Sequence, residues 1–204
     1  MIARRSFPSL RAAASVLLLS SIVVYLYCSR YTPSDPEMAE RDSVGPLSNL
    51  VVSVRQVNKN PLTIALKVMN TGTEPVTILT WESPLDVLAL QLGLLSITPS
   101  GASSPLDLPR IQLRRKAPPD EDQLVTLEAG QSEEREIALK EPIISSNDLA
   151  GDGKGKAKVK CRGRWMSVWP VKRNGVSDEA LELMGLSDEA LSGDFESEVV
   201  ELDI

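Results

Sequence analysis

The chain has 204 residues, 42% hydrophobic and 25% charged, with a net charge of −6, which leaves room for one ordinary domain and a targeting segment and enough chain for a core that needs no disulfide or metal. It contains no histidine and two cysteines, so Ser-His-Asp and Cys-His catalysis, histidine-containing zinc sites and a four-cysteine zinc site are all excluded. The negative charge argues against nucleic acid as a partner, the 4% aromatic content argues against a carbohydrate-stacking surface, and no cofactor and no catalytic residue is expected.

Arg4, Arg5 and Arg11 precede an uncharged run from Ala12 to Ser29, and Asp35, Glu37 and Glu40 follow it. As a helix this run spans roughly 27 Å, close to the hydrocarbon thickness of a bilayer. The basic flank stays cytoplasmic, which places the rest of the chain on the outer or lumenal side. A signal peptide needs small residues at the last and third-last positions before its cut. Cutting after Ser29 puts Tyr27 at the third-last position and cutting after Cys28 puts Leu26 there, whereas Tyr25 and Tyr27 suit interfacial anchors. The reading is a basic flank over 1–11 and a signal-anchor helix over 12–29, giving a single-pass membrane protein with an extracytoplasmic or lumenal domain. The alternative is a cleaved signal peptide and a secreted protein. Cys28 closes the apolar run, so no disulfide to Cys161 is expected. Residues 30–46, with Pro33, Pro36 and Pro46, read as a polar linker, and 47–204 as the domain.

From Leu50 the pattern is of short strands. Val51–Val57 is rich in β-branched residues, and Leu62, Ile64, Leu66 and Val68 alternate on one face of a second strand. The turn cluster Asn70-Thr71-Gly72-Thr73-Glu74-Pro75 leads to Val76–Trp81, which predicts a hairpin. Leu85–Ile97 is Leu-rich and fits a buried strand or a short helix; the favoured reading is a loop and then a strand ending at Pro99. Further strands are expected at Ile111–Arg115, Leu124–Leu127 and Glu134–Leu139. About seven or eight strands with frequent turns predict an all-β, immunoglobulin-like antiparallel sandwich.

Between Gly153 and Trp165, Lys154, Lys156, Lys158, Lys160, Arg162 and Arg164 occupy alternate positions, with Ala157, Val159, Cys161 and Trp165 between them. This is a half-buried strand with a basic outer face. That face is the candidate interaction surface; the competing reading is a charge ladder against the acidic C-terminal strand, 194–204, in which a kink is expected near Val199-Val200. Ser177 and Ser187, each followed by two acids, predict N-caps of two short helices within about 177–192, ended by Gly185 and Gly193. Gly151–Lys156 lacks the spacing, the terminal Ser/Thr and the following helix of a phosphate loop, and reads as a turn. Asp178, Glu179 and Glu182 lack the spacing of a calcium loop and read as a solvated helix face.

Trp81-Glu82-Ser83-Pro84-Leu85-Asp86, then Gln112-Leu113-Arg114-Arg115-Lys116-Ala117-Pro118-Pro119, then Leu127–Ser132 with its following strand, together with the Asn70-Thr71-Gly72 turn, resemble in order and spacing the N-terminal β-sandwich pro-region of deuterolysin-type (M35) zinc metallopeptidases. The resemblance covers about Leu50 to Trp165. Those peptidases carry a zinc-binding catalytic domain after this module; the chain ends at Ile204 without a histidine, so no catalytic role is carried over. The expected function is that of a non-catalytic, protein-binding sandwich that reaches the membrane through residues 12–29. The alternative implied by the resemblance is a stand-alone inhibitor or folding helper whose partner is a secreted peptidase.

Overall fold

The computed structural model describes residues 45–151 and 156–204. The proposed anchor at 12–29, its basic flank, nearly all of the linker, Cys28 and Lys154 lie outside the described residues. Among the described residues no helix is long and apolar enough to cross a membrane.

Among the described residues nine strands form, where about seven or eight were expected: β1 (Leu50–Lys59), β2 (Leu62–Asn70), β3 (Val76–Leu79), β4 (Leu95–Thr98), β5 (Leu124–Leu127), β6 (Ser132–Ala138), β7 (Ala157–Trp169), β8 (Leu191–Glu196) and β9 (Val200–Leu202), with helices α1 (Ser146–Ala150) and α2 (Asp178–Leu183). One sheet has the order β1-β2-β6; the other is built around β7, with β4 and β3 along one edge, β9 and β8 along the other, and β5 beyond β3. Every pairing is antiparallel. The inward residues of both sheets form one core in which Ile64, Leu66 and Val68 of β2 meet Ile78, Ile97, Val159, Cys161 and Trp165. The period-two pattern of β2 thus reports its buried face correctly, and the sandwich architecture follows from it.

Four expectations are corrected. The run after the Asn70 turn does not return as a hairpin: β2 and β3 lie in different sheets. The reason is visible in β3, all four of whose residues are buried; a strand covered on both faces belongs inside a sheet, and β3 sits between β5 and β7. Buried Asn70 makes the crossover, its amide donating to Glu74 O at 2.8 Å and Leu127 O at 3.1 Å while its Oδ1 accepts the Gly72 N–H at 2.9 Å. Second, Ile111–Arg115 belongs to no ladder; the Ile111 N–H donates to Gln91 O. Third, Ser177 caps α2 as expected, but Ser187 opens only a turn, its Oγ accepting the Glu189 N–H before β8 begins at Leu191. Correspondingly, α2 ends at Met184 with φ +49° and Gly193 lies within β8, so neither expected glycine acts as a helix stop. Fourth, the basic strand starts at Ala157, four residues later than expected. A fifth element, α1, was not anticipated, although Ser145 and Asp148 form a reciprocal capping box.

A bulge in β7 between Trp165 and Val168 reverses which residues face inward. Trp165 lies in the main core against Phe195, ring centroids 4.7 Å apart. Beyond the bulge Val168 takes the inward place, while Trp169 joins Leu79, Trp81, Val176, Ala180 and Leu181 in a second cluster under α2. The C-terminal strand breaks at residues 197–199 into β8 and β9, at the position where its acidic parity changes.

Candidate interaction surface

Strand β7 presents the basic stripe as the alternation requires: Lys158, Arg162 and Arg164 are exposed and Lys160 is half-buried, while Ala157, Val159, Cys161 and Trp165 are buried. Exposed Lys156 precedes the strand. Much of this charge is spent internally. Arg164 pairs with Asp194 directly opposite at 3.3 Å. Glu196 stands opposite Arg162 but pairs diagonally with Lys160. Glu201 stands opposite Lys158 but lies 3.7 Å from Lys156. Diagonal pairing leaves two side chains of the stripe, Lys158 and Arg162, with no ion pair or hydrogen bond among the described residues.

At the end of the stripe Asp203 bridges Lys59 at 3.1 Å and Lys156 at 3.3 Å. The hydrogen bond from Lys59, then that from Lys156, holds the Asp203 carboxyl below the ordinary carboxylate range, and the same contact with Asp203, helped by Glu201, raises the Lys156 ammonium. What Asp203 contributes is therefore present above the ordinary carboxylate pKa and lost as pH falls through the lowered one. All three groups are exposed, so the cluster orders a surface more than it stabilises the fold. Cys161 faces the opposite way, into the core, where burial pushes its thiol up to about 12; a neutral, enclosed thiol is packing and not a nucleophile.

The structure brings together two segments that the sequence only places in order. Buried Asp86 accepts the Glu82 N–H at 2.8 Å and the Leu88 N–H at 3.0 Å, and binds the Arg115 guanidinium through both oxygens at 3.0 and 2.8 Å. Arg115 in turn lies 5.5 Å above the Trp81 ring, a cation–π contact. Arg135 reaches the same corner, donating to Leu85 O at 3.3 Å. This assembly fixes the long 99–123 connection onto the 81–93 turn region, with Asp86 and Arg115 neutralising one another.

Fixing Arg115 presents the residues before it. Ile111 and Leu113 are 40% and 45% exposed, and Val87 beside them 66%. From Gln112 to Lys116 the backbone makes no backbone hydrogen bond among the described residues, so this extended piece shows unpaired N–H and C=O groups like the edge of a sheet. Just before this piece a groove of about 570 Å³ lies against β7–β8, with Arg110 and Arg162 on its walls and Leu94, Gly163 and Phe195 among its lining. It runs on into a smaller one bounded by Ile111, Gln112 and Leu113, the two sharing Glu82, Leu92 and Leu94. Gly163 is needed here: a Cβ would come within 2.8 Å of the Phe195 ring and 2.9 Å of Leu94. Like Arg162, Arg110 has no side-chain partner among the described residues. Sequence reasoning identified Arg162 as part of the stripe but missed Arg110, which lies in a loop with no period to mark it. Among the described residues no group of three or more acids or thiols is placed to hold a metal ion.

The chain matches the immunoglobulin-like domain family over residues 49–204, a span that takes in both sheets, the Asp86–Arg115 pair and the groove. The chain belongs to the immunoglobulin-like domain family. A protein of Arthroderma benhamiae that bears the name "Uncharacterized secreted protein" is 36% identical to this immunoglobulin-like chain over 173 residues, covering 81% of the chain and 82% of its own length. Neither match names a peptidase, so the resemblance to deuterolysin-type pro-regions gains no support from them.

Proposed function

We propose that this is an exported immunoglobulin-like domain that acts by binding a protein and not by catalysis. The observation that carries the reading is the groove: two guanidiniums without partners among the described residues, Arg110 and Arg162, flank an apolar floor beside a segment whose backbone makes no backbone hydrogen bond among those residues. Unpaired cations next to exposed apolar side chains have the composition of a recognition surface. Of the other charged groups on the groove, Arg164 and Asp194 hold one another and Glu196 is held by Lys160, which leaves Glu82, and the sequence has no histidine to serve as a base near neutral pH. Export is supported by the secreted name of the similar protein and by the apolar Ala12–Ser29 run behind three arginines. Cell fractionation tests it: the domain is expected in the medium, lacking roughly its first thirty residues after signal cleavage. Full-length chain confined to the carbonate-resistant membrane pellet would instead establish the signal-anchor; chain confined to the cytosol would refute export.

A second reading, a free-standing inhibitor or folding helper of a secreted metallopeptidase, rests on the pro-region resemblance. The secreted name of the similar protein favours it over a membrane-held role, since a diffusible module can meet a secreted enzyme. Affinity capture from the medium separates the two: recovery of a zinc peptidase whose activity the domain alters favours regulation, and reproducible recovery of an unrelated protein sinks it.

A further inference from the structure

Resting on the protein-binding reading, we propose that the groove between β7–β8 and the Arg110–Leu113 stretch takes an extended, acidic segment of a partner protein, seated as an added strand along the open backbone that continues to Lys116. Three independent features of the surface select that occupant. The first is backbone: Gln112–Lys116 runs without helix, turn or bend and is exposed except at Arg115, and its N–H and C=O groups have no backbone partners among the described residues, which is the requirement for strand addition. The second is the floor. Leu92, Leu94 and Phe195 line the groove and Leu113 borders it, so alternate side chains of an added strand would meet apolar surface.

The third is charge. Residues 110–116 hold four cations and no acid. Arg115 is committed to Asp86, and Arg110 lines the groove with Arg162 across it, while Arg114 and Lys116 stand further along the segment, outside the groove lining. Of the acids on the walls, Asp194 is committed to Arg164 and Glu196 to Lys160, so Glu82 is the one carboxylate there without a side-chain partner among the described residues. Two uncommitted cations on the walls against one uncommitted carboxylate, with Arg114 and Lys116 further along the same segment, favour an acidic ligand on a molecule whose net charge is −6. A free phosphate or sulfate would use the guanidiniums but neither the apolar floor nor the open backbone, and a lipid surface would not enter a groove.

The test uses the purified chain and a fluorescein-labelled peptide alternating glutamate with valine, read by anisotropy. The acidic peptide is expected to bind, with its lysine–valine counterpart at least about tenfold weaker. Arg110→Glu and Arg162→Glu should each weaken it by about tenfold, since a wall charge is reversed in each. Lys158→Glu, which reverses the other free cation of the stripe outside the groove lining, should leave it unchanged. Alternate N-methylation of the peptide backbone should abolish binding if a strand is added, and inorganic sulfate should compete no better than its ionic strength predicts. Absence of binding by the acidic peptide would overturn the proposal, as would loss in Lys158→Glu with retention in the two groove variants; melting curves of each variant exclude misfolding as the cause. Capture from culture medium separates this failure from that of the parent reading. A protein captured equally by wild type and by the Arg110→Glu, Arg162→Glu double variant removes the groove and leaves protein binding standing. Capture by neither removes both.

Discussion

Replacing Arg115 with methionine leaves the Asp86 carboxylate, 2% exposed, without its counter-ion. Breaking a buried pair from one side costs about 3–5 kcal/mol. Two facts place this case at the lower end: Asp86 keeps the Glu82 and Leu88 N–H donors, and the Arg115 side chain is itself 21% exposed. The expected loss is therefore about 3 kcal/mol, part of it the cation–π contact with Trp81. For a domain of this size that corresponds to a fall in Tm of roughly 6–12 °C. Urea titration followed by tryptophan emission measures it, with Trp81 as a reporter beside the substituted side chain. The cycle is completed with Asp86→Ala, which removes the carboxylate but strands the two N–H groups. In the double variant no buried charge is left unpaired, so its loss should fall short of the sum of the single losses by about 1–2 kcal/mol. Additive losses, or an Arg115→Met variant within about 0.5 kcal/mol of wild type, would show that the backbone donors alone hold Asp86 and that Arg115 does not anchor the 99–123 connection.

The remaining predictions concern the core and the crossover. Val68→Asp should unfold the domain, because β2 is fully enclosed there and an unpaired buried charge costs several kcal/mol; circular dichroism with an unchanged melting temperature would contradict the packing. Asn70→Asp turns a group that donates to two carbonyls into one that repels them, and should cost several kcal/mol in urea titration, with the far-UV spectrum of the surviving folded fraction unchanged. Cys161 should resist alkylation at pH 8 until urea is added. Its thiol lies at about 12 when folded against 9.0 when free, so the folded chain binds the extra proton and stability falls as pH rises between those values. The loss approaches about 4 kcal/mol and should be absent in Cys161→Ala.

The sandwich was legible because two of its strands obey a simple rule. In β2, and in β7 from Ala157 to Cys161, every second side chain is buried, and Lys158, Val159, Lys160 and Cys161 reveal this by chemistry alone. What sequence could not supply was the partner of each strand. Ile111–Arg115 alternates as a strand should, yet alternation says only that two faces differ, and here the apolar face lies along an open groove with no ladder beside it. The Asn70 cluster has the composition of a hairpin turn; whether the next strand pairs back or crosses depends on Val76–Leu79 needing cover on both faces, which four apolar residues suggest but do not fix. Ser177 and Ser187 carry the same local signal. Only the first is followed by a helix, since Ala180 and Leu181 are buried against Trp169 whereas the residues after Ser187 lead directly into β8. The basic stripe was visible, but not which of its members are free: that follows from diagonal pairing of Glu196 and Glu201, a matter of register and side-chain reach. Arg110 carried no signal at all, because its place opposite Arg162 is set by the Asp86–Arg115 pair further along the chain.

A photo-crosslinking residue placed at Gln112 of the full-length chain in its native cells tests the binding role most directly, with Leu186, 87% exposed and remote in sequence from the groove segment, as the control position. A discrete protein adduct at 112 but not at 186, with the crosslink mapped by mass spectrometry to an acidic extended segment of the partner, is the predicted result. No adduct at 112, or the same adducts at both positions, would contradict a protein-binding groove in this domain.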